Sequence, residues 1–478
     1  MKFDYFVTHT RAEASEPFEQ LYADGLEQVR LCDQIGIDTI WFPEHQFTNQ
    51  LCSPAPLINV VDAAHRTTRA RLGTAVVITP YYNPLLVAGQ LALADQLTQG
   101  RLDIGFGRGG FKYEYERLGM TEPLAAARQQ EALEIILRAW TETDFAYAGT
   151  HFKFPEVTVV PRPYQRPCPP TWIAARTPDS MRFAAEHGIG IMMAPQRQPI
   201  GRLQGQMRLL DAICEDLGAA RPPVRVTREI WVTTSPAETR RAAELLQEYH
   251  TVQWNLHQNA APTVDGFTEP VPLPKGYDIA PEELIARGVM GDPEHCVERL
   301  RQYEALGADA FILTFDWGQP QRDILRSLEL FAERVMPHFA HDRPAARPIP
   351  DPQGRSRTIL REPVLIDVEG LGGDWMSWEA DQWLHQFERA PGGERRRSYI
   401  FDFATAPKVR AHADGAVDVQ GLLRLVSDAG CPDCGRPVIA LYRRWEGEDR
   451  AAITRHLAER MRDLRWHARH TNRRAMGR

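Results

Sequence analysis

A glutamate and a histidine, Glu44 and His45, directly follow the apolar run Thr39–Phe42, which has the character of a buried strand. An imidazole titrates near neutral pH and can give or take a proton. The carboxyl end of a parallel strand is where an α/β barrel places its catalytic groups. The pair is therefore a candidate proton-transfer site, while a histidine bonded locally at a strand end is the alternative.

A glycine-rich segment at residues 105–110 follows another apolar run and contains Arg108. Such a segment lets backbone approach a ligand closely, and a guanidinium is suited to bidentate contact with phosphate. It is not the dinucleotide-binding fingerprint, because no helical pattern opens at the last glycine. Aromatic residues at positions 111–115 follow instead.

Two more segments have residue types that could contact a ligand. Residues 72–80 place small residues before a β-branched run, which predicts either a strand tip that a flat molecule can approach or ordinary strand packing. Arg176, Thr177 and Ser180 follow a further apolar run and open a short helical pattern. Helix N-terminal N–H groups, hydroxyls and a cation can bind phosphate, but threonine and serine are also common helix caps. Both interpretations stay open on these residues alone.

Eight continuous apolar runs in residues 1–342 would carry these side chains. Runs without polar alternation are typical of a parallel sheet buried on both faces, and amphipathic segments separate most of them. The count predicts a (β/α)8 TIM barrel, with a doubly wound parallel sheet as the alternative. The runs are residues 3–8, 39–42, 72–79, 102–107, 171–174, 189–192, 224–233 and 310–314.

Two insertions interrupt this alternation. Residues 145–166 predict an extended or hairpin excursion that turns at Gly149 and Thr150. Residues 257–291 are rich in proline and glycine and predict a long surface loop. Loops at the carboxyl ends of barrel strands build or cover the active site, so this loop is either part of the site or a variable surface segment.

The rest of the chain has a different composition. Residues 343–357 predict a proline-rich linker, and residues 358–478 a small α+β domain that ends in a helix near residues 449–465. Its CxxC motif could form a structural zinc site, a redox pair or a simple turn. The candidate zinc ligands are Cys431, Cys434, His467 and His470, with His412 as a further candidate.

The composition excludes several classes of protein. A net charge of −7 with 43% hydrophobic residues is typical of a globular chain, and we expect no membrane span and no nucleic-acid partner. The N-terminus, with an acid at position 4, does not predict a signal peptide. Seven scattered cysteines favour a reducing cytoplasm over a disulfide framework.

Taken together, the order and spacing of these four segments resemble the bacterial luciferase family of flavin-dependent monooxygenases. The resemblance extends from residue 1 to about residue 340, including residues 291–294 and 328–339, and leaves the C-terminal extension unrecognised. It implies a luciferase-like (β/α)8 barrel with insertions. It also implies reduced flavin mononucleotide (FMN) bound at the carboxyl ends of the strands.

The resemblance also implies roles for single residues. His45 matches the catalytic histidine beside the flavin, Glu44 its acidic neighbour, and Glu114 an acid of the active-site wall. Ala75 and Val76 match the place of a non-prolyl cis peptide under the flavin ring. The implied phosphate-binding residues are Arg108, Ala175, Arg176, Thr177 and Ser180.

Three positions depart from the pattern of the family. Gln46 stands where luciferases often have a second histidine, and Gly107 replaces a reactive cysteine of the luciferase catalytic subunit. Arg176 replaces the acid of the phosphate turn. For a member of this family, the departures at Gly107 and Arg176 would leave flavin binding intact and put light emission and a long-chain aldehyde substrate in doubt.

The implied activity is that of a two-component monooxygenase. A separate flavin reductase supplies reduced FMN, which reacts with O2 to a C4a-peroxyflavin that oxygenates a small organic or natural-product intermediate. His45 would act as general base or acid, and the site would exclude water. The alternatives are an F420-dependent oxidoreductase of the same fold and a non-catalytic flavin-binding partner subunit. Small residues within positions 86–97, where the family dimerises, predict a homodimer.

Overall fold

The structure is a computed structural model that describes residues 1–195, 197–274 and 278–339, together with six strands of the C-terminal region. The chain divides into two units, Met1–Arg347 and Pro348–Arg478. No helix among the described residues is long and apolar enough to cross a membrane.

The first unit alternates strands with helices along the chain. Its strands are β1 (Lys2–Phe6), β2 (Thr39–Phe42), β3 (Arg71–Ile78), β4 (Leu102–Gly107), β5 (Phe145–Ala148), β6 (Lys153–Val157), β7 (Thr171–Ala174), β8 (Gly190–Met193), β9 (Val224–Val232), β10 (Thr263–Val264), β11 (Phe267–Thr268), β12 (Val289–Gly291) and β13 (Ala310–Thr314). Its helices are α1 (Phe18–Ile35), α2 (Pro56–Ala64), α3 (Pro84–Leu97), α4 (Lys112–Arg117), α5 (Glu122–Thr141), α6 (Pro178–His187), α7 (Ile200–Leu217), α8 (Pro236–Gln258), α9 (Pro281–Arg287), α10 (Pro293–Ala305) and α11 (Gln321–Arg334).

Eight of these strands form a closed parallel barrel. The neighbours run β1, β2, β3, β4, β7, β8, β9 and β13, and β13 pairs with β1 to close the ring. Each barrel strand coincides with one of the eight apolar runs. The predicted (β/α)8 barrel is therefore confirmed, and the doubly wound sheet, which would have open edges, is wrong.

The barrel forms because its strands are buried on both faces and its helices on one. Every residue of β4 is buried, since the barrel interior covers one face and helices cover the other. In α11 the buried residues Ile324, Leu328 and Phe331 recur every three or four positions, which places them on one face of the helix.

The barrel interior contains a buried cation. The guanidinium of Arg225 on β9 lies 5.2 Å from the ring centroid of Trp41 and 4.1 Å from that of Trp172. It forms ion pairs with Asp4 and, at 3.6 Å, with Asp103. The ion pairs and the two indole rings join strands from opposite sides of the barrel.

Both insertions have regular structure. Strands β5 and β6 form the predicted antiparallel hairpin. Residues 257–291 are not a long loop, because α8 extends to Gln258 and is followed by the hairpin β10–β11, helix α9 and strand β12. Proline and glycine here stand at element boundaries, as Pro281 does at the start of α9, so the composition concealed short elements.

A second correction concerns the glycine-rich segment. Helix α4 begins two residues after Gly110, although the sequence pattern predicts no helix there. Three of its six residues, Tyr113, Glu114 and Tyr115, are buried side by side, so α4 lacks the apolar stripe of a surface helix.

The described part of the second unit consists of antiparallel strands. They are β14 (Asp374–Ser377), β15 (Trp383–Arg389), β16 (Arg395–Phe403), β17 (Lys408–Ala411), β18 (Val417–Ser427) and β19 (Val438–Trp445). The pairing order is β14, β15, β16, β18 and β17, and β19 also pairs with β18. The predicted C-terminal helix and the predicted linker lie outside the described residues.

A glycine at the contact between β3 and β4 offers a test of this packing. A Cβ atom at Gly105 would lie 2.3 Å from the backbone oxygen of Thr74, and that oxygen cannot move away without separating the strands. We expect Gly105→Ala to lower the free energy of unfolding by about 1–3 kcal/mol, measured by chemical denaturation. Gly205→Ala in α7, where nothing lies within 4 Å, should raise it by up to about 1 kcal/mol. Equal effects in the two variants would contradict the steric explanation.

Candidate functional site

A cavity of about 750 Å³ opens at the carboxyl ends of the barrel strands. This volume is in the range of sites that bind a cofactor or a drug-sized ligand. Residues from the ends of β2, β3, β4, β7 and β8 and from α5, α6 and α8 line it. The lining includes eight of the ten candidate residues: Glu44, His45, Ala75, Val76, Arg108, Arg176, Thr177 and Ser180.

The other two candidates, Ala175 and Glu114, are fully buried outside the lining. Ala175 connects β7 to the start of α6 and donates its backbone N–H to Met192. Glu114 bonds His45, which lines the cavity, and its role as an acid of the active-site wall stays a prediction. It acts on the cavity only through the groups it holds.

The apolar residues Ala75 and Val76 line the cavity and are here called its floor. The peptide bond between Ala75 and Val76 is cis, as the resemblance implied, and β3 bulges between Thr74 and Val77. Beside it, a Cβ at Gly107 would lie 2.4 Å from Val76 Cγ2, so only glycine lets β4 pass this close. Beneath the floor Ala75 and Val76 pack against a buried cluster of Trp41, Trp172, Met192 and Ile312.

His45 is held by a buried carboxylate. Its Nδ1 lies 2.8 Å from Oε1 of Glu114, which also accepts the backbone N–H of Gln46 at 2.8 Å. Tyr81 donates its hydroxyl to Oε2 of Glu114 at 3.1 Å. Because Nδ1 faces a carboxylate, the ring carries its proton there, and Nε2 is the atom left for proton transfer.

Glu44 is a second buried carboxyl group at the same end of the cavity. It accepts the backbone N–H of Ile78 at 2.7 Å and the hydroxyl of Tyr82 at 2.6 Å. Burial raises the pKa of Glu44 to about 7, against the lowering effect of these two hydrogen bonds. Glu44 can therefore gain or lose a proton near neutral pH.

The cationic residues Arg108 and Arg176 and the start of α6 also line the cavity. Thr177 and Ser180 form a capping box, in which each side chain accepts the backbone N–H of the other at 3.3 and 3.1 Å. The cap interpretation is thus confirmed, although both residues also line the cavity. The guanidinium of Arg176 is exposed and makes no hydrogen bond or ion pair with the described residues, whereas Arg108 pairs with Glu122 at 2.7 Å.

Two residues that line the cavity, Phe111 and His257, were not among the predicted site residues. The Phe111 ring lies parallel to that of His45, with centroids 4.1 Å apart, and meets the edge of His257 at 4.8 Å. His257 bonds the backbone oxygen of Gly110 through Nδ1 at 3.0 Å, and burial lowers its pKa to about 4. The aromatic run after the glycines was a signal for Phe111, but nothing local marked His257, because it lies 147 residues from Gly110 in the sequence.

The described residues contain no cluster of histidine, cysteine and acidic side chains that could hold a metal ion. The predicted zinc ligands Cys431, Cys434, His467 and His470, and His412, lie outside the described residues.

Known proteins share sequence with the first unit of this chain. The sequence profile of a family described as luciferase-like monooxygenase matches residues 1–310. The oxygenase component of a flavin-dependent trigonelline monooxygenase from Acinetobacter baylyi is 31% identical over 352 residues, covering 72% of this chain and 97% of that protein. An F420-dependent glucose-6-phosphate dehydrogenase from Intrasporangium calvum is 28% identical over 318 residues, covering 64% of this chain and 91% of that protein.

A solved structure has the same fold. The monooxygenase RslO1 from Streptomyces bottropensis superposes with a TM-score of 0.62 at 26% identity, covering 71% of this chain and all of that one. The likeness and the profile match both fall within the barrel and leave out the second unit. Because the profile spans well over half of the sequence, this protein belongs to the family of luciferase-like monooxygenases, which are flavin-dependent enzymes.

Proposed function

We propose that this chain is the oxygenase component of an FMN-dependent two-component monooxygenase that oxygenates a small organic or natural-product intermediate. One observation carries the proposal. A single cavity is lined by the apolar residues Ala75 and Val76, by the imidazole of His45 and by an exposed guanidinium, that of Arg176, directly before a helix N-terminus. A phosphorylated ring system matches that distribution of groups.

The residues fit FMN on physical grounds. The floor at Ala75 and Val76 has no polar side chain and would accept the face of the isoalloxazine ring. Arg176 and the first turn of α6 would hold the phosphate, because backbone N–H groups and the helix dipole favour an anion there. Arg108 would join them by exchanging its ion pair with Glu122. When bound, reduced FMN supplies the electrons that activate O2.

The protein's own residues hold and move protons around that ring. His45 would give or take a proton at Nε2, while Glu114 keeps Nδ1 protonated and the ring oriented. Glu44 would serve as a second proton donor or acceptor near His45. Its pKa of about 7 lies close to the ordinary pKa of an imidazole. Phe111 covers one face of His45 and keeps water from that side.

A relative supports the proposal that flavin reduction and oxygenation are carried out by separate proteins. The Acinetobacter baylyi protein is named an oxygenase component, and this chain covers 97% of its length, which supports a flavin reductase as partner. The proposal also includes a cytoplasmic location. The five cysteines within the described residues, all free thiols, support it: Cys32, Cys52, Cys168, Cys214 and Cys296.

Reconstitution tests the proposed function. The protein should bind reduced FMN under argon, and stopped-flow absorbance after mixing with O2 should show reoxidation kinetics different from those of free reduced FMN. His45→Asn should change the reoxidation rate about a hundredfold, because proton transfer by a positioned side chain contributes that order. His65→Ala, an exposed histidine outside the cavity, is the matched control.

Two outcomes would contradict this proposal. Binding of reduced F420 with hydride transfer, and no binding of FMN, would assign the deazaflavin alternative. Binding of FMN with kinetics that His45→Asn leaves unchanged would assign a non-catalytic flavin-binding subunit.

The phosphate end can be tested separately by comparing two flavins. Arg176→Ala should weaken FMN binding about tenfold, because a charge-assisted hydrogen bond is lost, and should leave riboflavin binding unchanged. Fluorescence titration measures both constants. Arg182→Ala removes an arginine of α6 that pairs with Asp216 at 2.9 Å, and it should affect the binding of neither flavin. Equal weakening of both flavins would show that Arg176 does not contact the phosphate.

A homodimer is also part of the proposal. Four exposed apolar side chains, Ile58 on α2 and Leu86, Leu93 and Leu97 on α3, lie on adjacent helices and are 47–71% exposed. Exposed apolar residues gathered on neighbouring helices mark association surfaces. A second copy of this chain would cover them through a two-fold interface.

Charging this patch should separate the copies. We expect the wild type to sediment as a dimer, and the double variant Leu86→Glu with Leu93→Glu to sediment as a monomer at micromolar concentration. The control is Leu209→Glu in α7, which places a charge on an exposed leucine outside the patch. A monomeric wild type, or a dimer that persists in the double variant, would overturn the assignment.

A further inference from the structure

Residues 110–117, here called the α4 segment, contact the loop that carries His45 at three points. The ring of Phe111 lies against that of His45, and the carboxylate of Glu114 bonds its Nδ1. Tyr113 donates its hydroxyl to the backbone oxygen of Phe47 at 2.9 Å. The orientation of the imidazole therefore depends on where the α4 segment lies.

The opposite side of the α4 segment is held by the end of α8. His257 bonds the backbone oxygen of Gly110, and the side chain of Asn259 bonds Glu116. Leu256 packs in one buried apolar cluster with Phe111 and Tyr113. The segment is thus fixed between the His45 loop and α8.

His257 is suited to holding the segment because its protonation state is fixed. A carbonyl oxygen only accepts hydrogen bonds, so Nδ1 of His257 must carry the proton that bonds Gly110. Burial lowers the pKa of His257 to about 4, so at neutral pH the ring is uncharged and has that single N–H. Its edge also meets the ring of Phe111, with the two ring planes at 90°.

We propose that His257 is a positioning residue for His45. By holding Gly110 and the ring of Phe111, it fixes the plane of the His45 imidazole, while Glu114 fixes its Nδ1. Without the Phe111 contact, the His45 imidazole would still be bonded to Glu114 through Nδ1. Its ring plane could then tilt about that hydrogen bond. The effect on catalysis rests on the proposed function, but the geometric role does not.

Substituting asparagine or glutamine for His257 tests which of its two ring nitrogens holds the α4 segment. The amide nitrogen of asparagine lies near the position of Nδ1 and can still donate to Gly110, whereas that of glutamine reaches the position of Nε2. His257→Asn should therefore keep the positioning, and His257→Gln and His257→Leu should lose it. Gln258→Leu, an exposed neighbour on α8, is the control.

The first readout is independent of flavin. In ¹⁵N-histidine-labelled protein, assigned through His45→Asn, the His45 Nδ1 proton should exchange with water about tenfold faster in the glutamine and leucine variants, since one restraining hydrogen bond is lost. The asparagine variant should stay within about twofold of wild type on the same argument. Phe111→Leu, which leaves α8 unchanged, should reproduce the faster exchange even if the leucine variant of His257 fails to fold.

The second readout is the reoxidation of bound reduced FMN, which should slow in the same variants that exchange faster. Unchanged exchange in His257→Leu and Phe111→Leu would overturn the proposal. Retention by glutamine with loss in asparagine would also overturn it, because His257 would then act through Nε2 in the cavity. If the exchange pattern appears but no variant binds FMN, the proposed function fails while the positioning role stands.

Discussion

The cavity depends on the ion pairs that Arg225 forms inside the barrel. Burying an unpaired charge costs several kcal/mol, and removing either partner of a buried pair is strongly destabilising. Arg225 on β9 is paired with Asp4 on β1 and Asp103 on β4, so these strands cannot slip in register without leaving a charge alone. The indole rings of Trp41 and Trp172 cover the guanidinium, and the apolar floor of the cavity packs on these rings.

The side chains around His45 are held by more contacts than the side chain of Arg176. At the imidazole end, Glu44 and Glu114 are buried and satisfied by backbone N–H groups and tyrosine hydroxyls. Each side chain there is fixed by contacts from other elements. Arg176, in contrast, is exposed, and the capping box of α6 next to it fixes only the backbone. Proton chemistry requires fixed distances, whereas a phosphate can be met by a flexible guanidinium.

The sequence predicted the parts of this arrangement that depend on local pattern. Continuous apolar runs marked all eight barrel strands, because strands buried on both faces leave no polar alternation. Residues directly after strands, such as His45 and Arg176, could be placed at one rim because parallel strands end together. The contacts of Glu114, Phe111 and His257 could not be predicted, because they join α4, α8 and the His45 loop across many residues. Residues 257–291 were misread because short elements bounded by proline and glycine leave no period.

The charges of the cavity residues restrict which ligands the cavity can bind. Burial makes Glu44 easy to protonate near neutral pH and keeps His257 uncharged, so neither adds a full charge to the carboxylate of Glu114 beside His45. Arg176 lies directly before the N-terminus of α6, where the helix dipole adds positive potential, and Arg108 lines the same cavity. A ligand with an anionic tail and an uncharged aromatic body would place its tail at Arg176. The site at which the tail binds would then decide which part of the body faces His45.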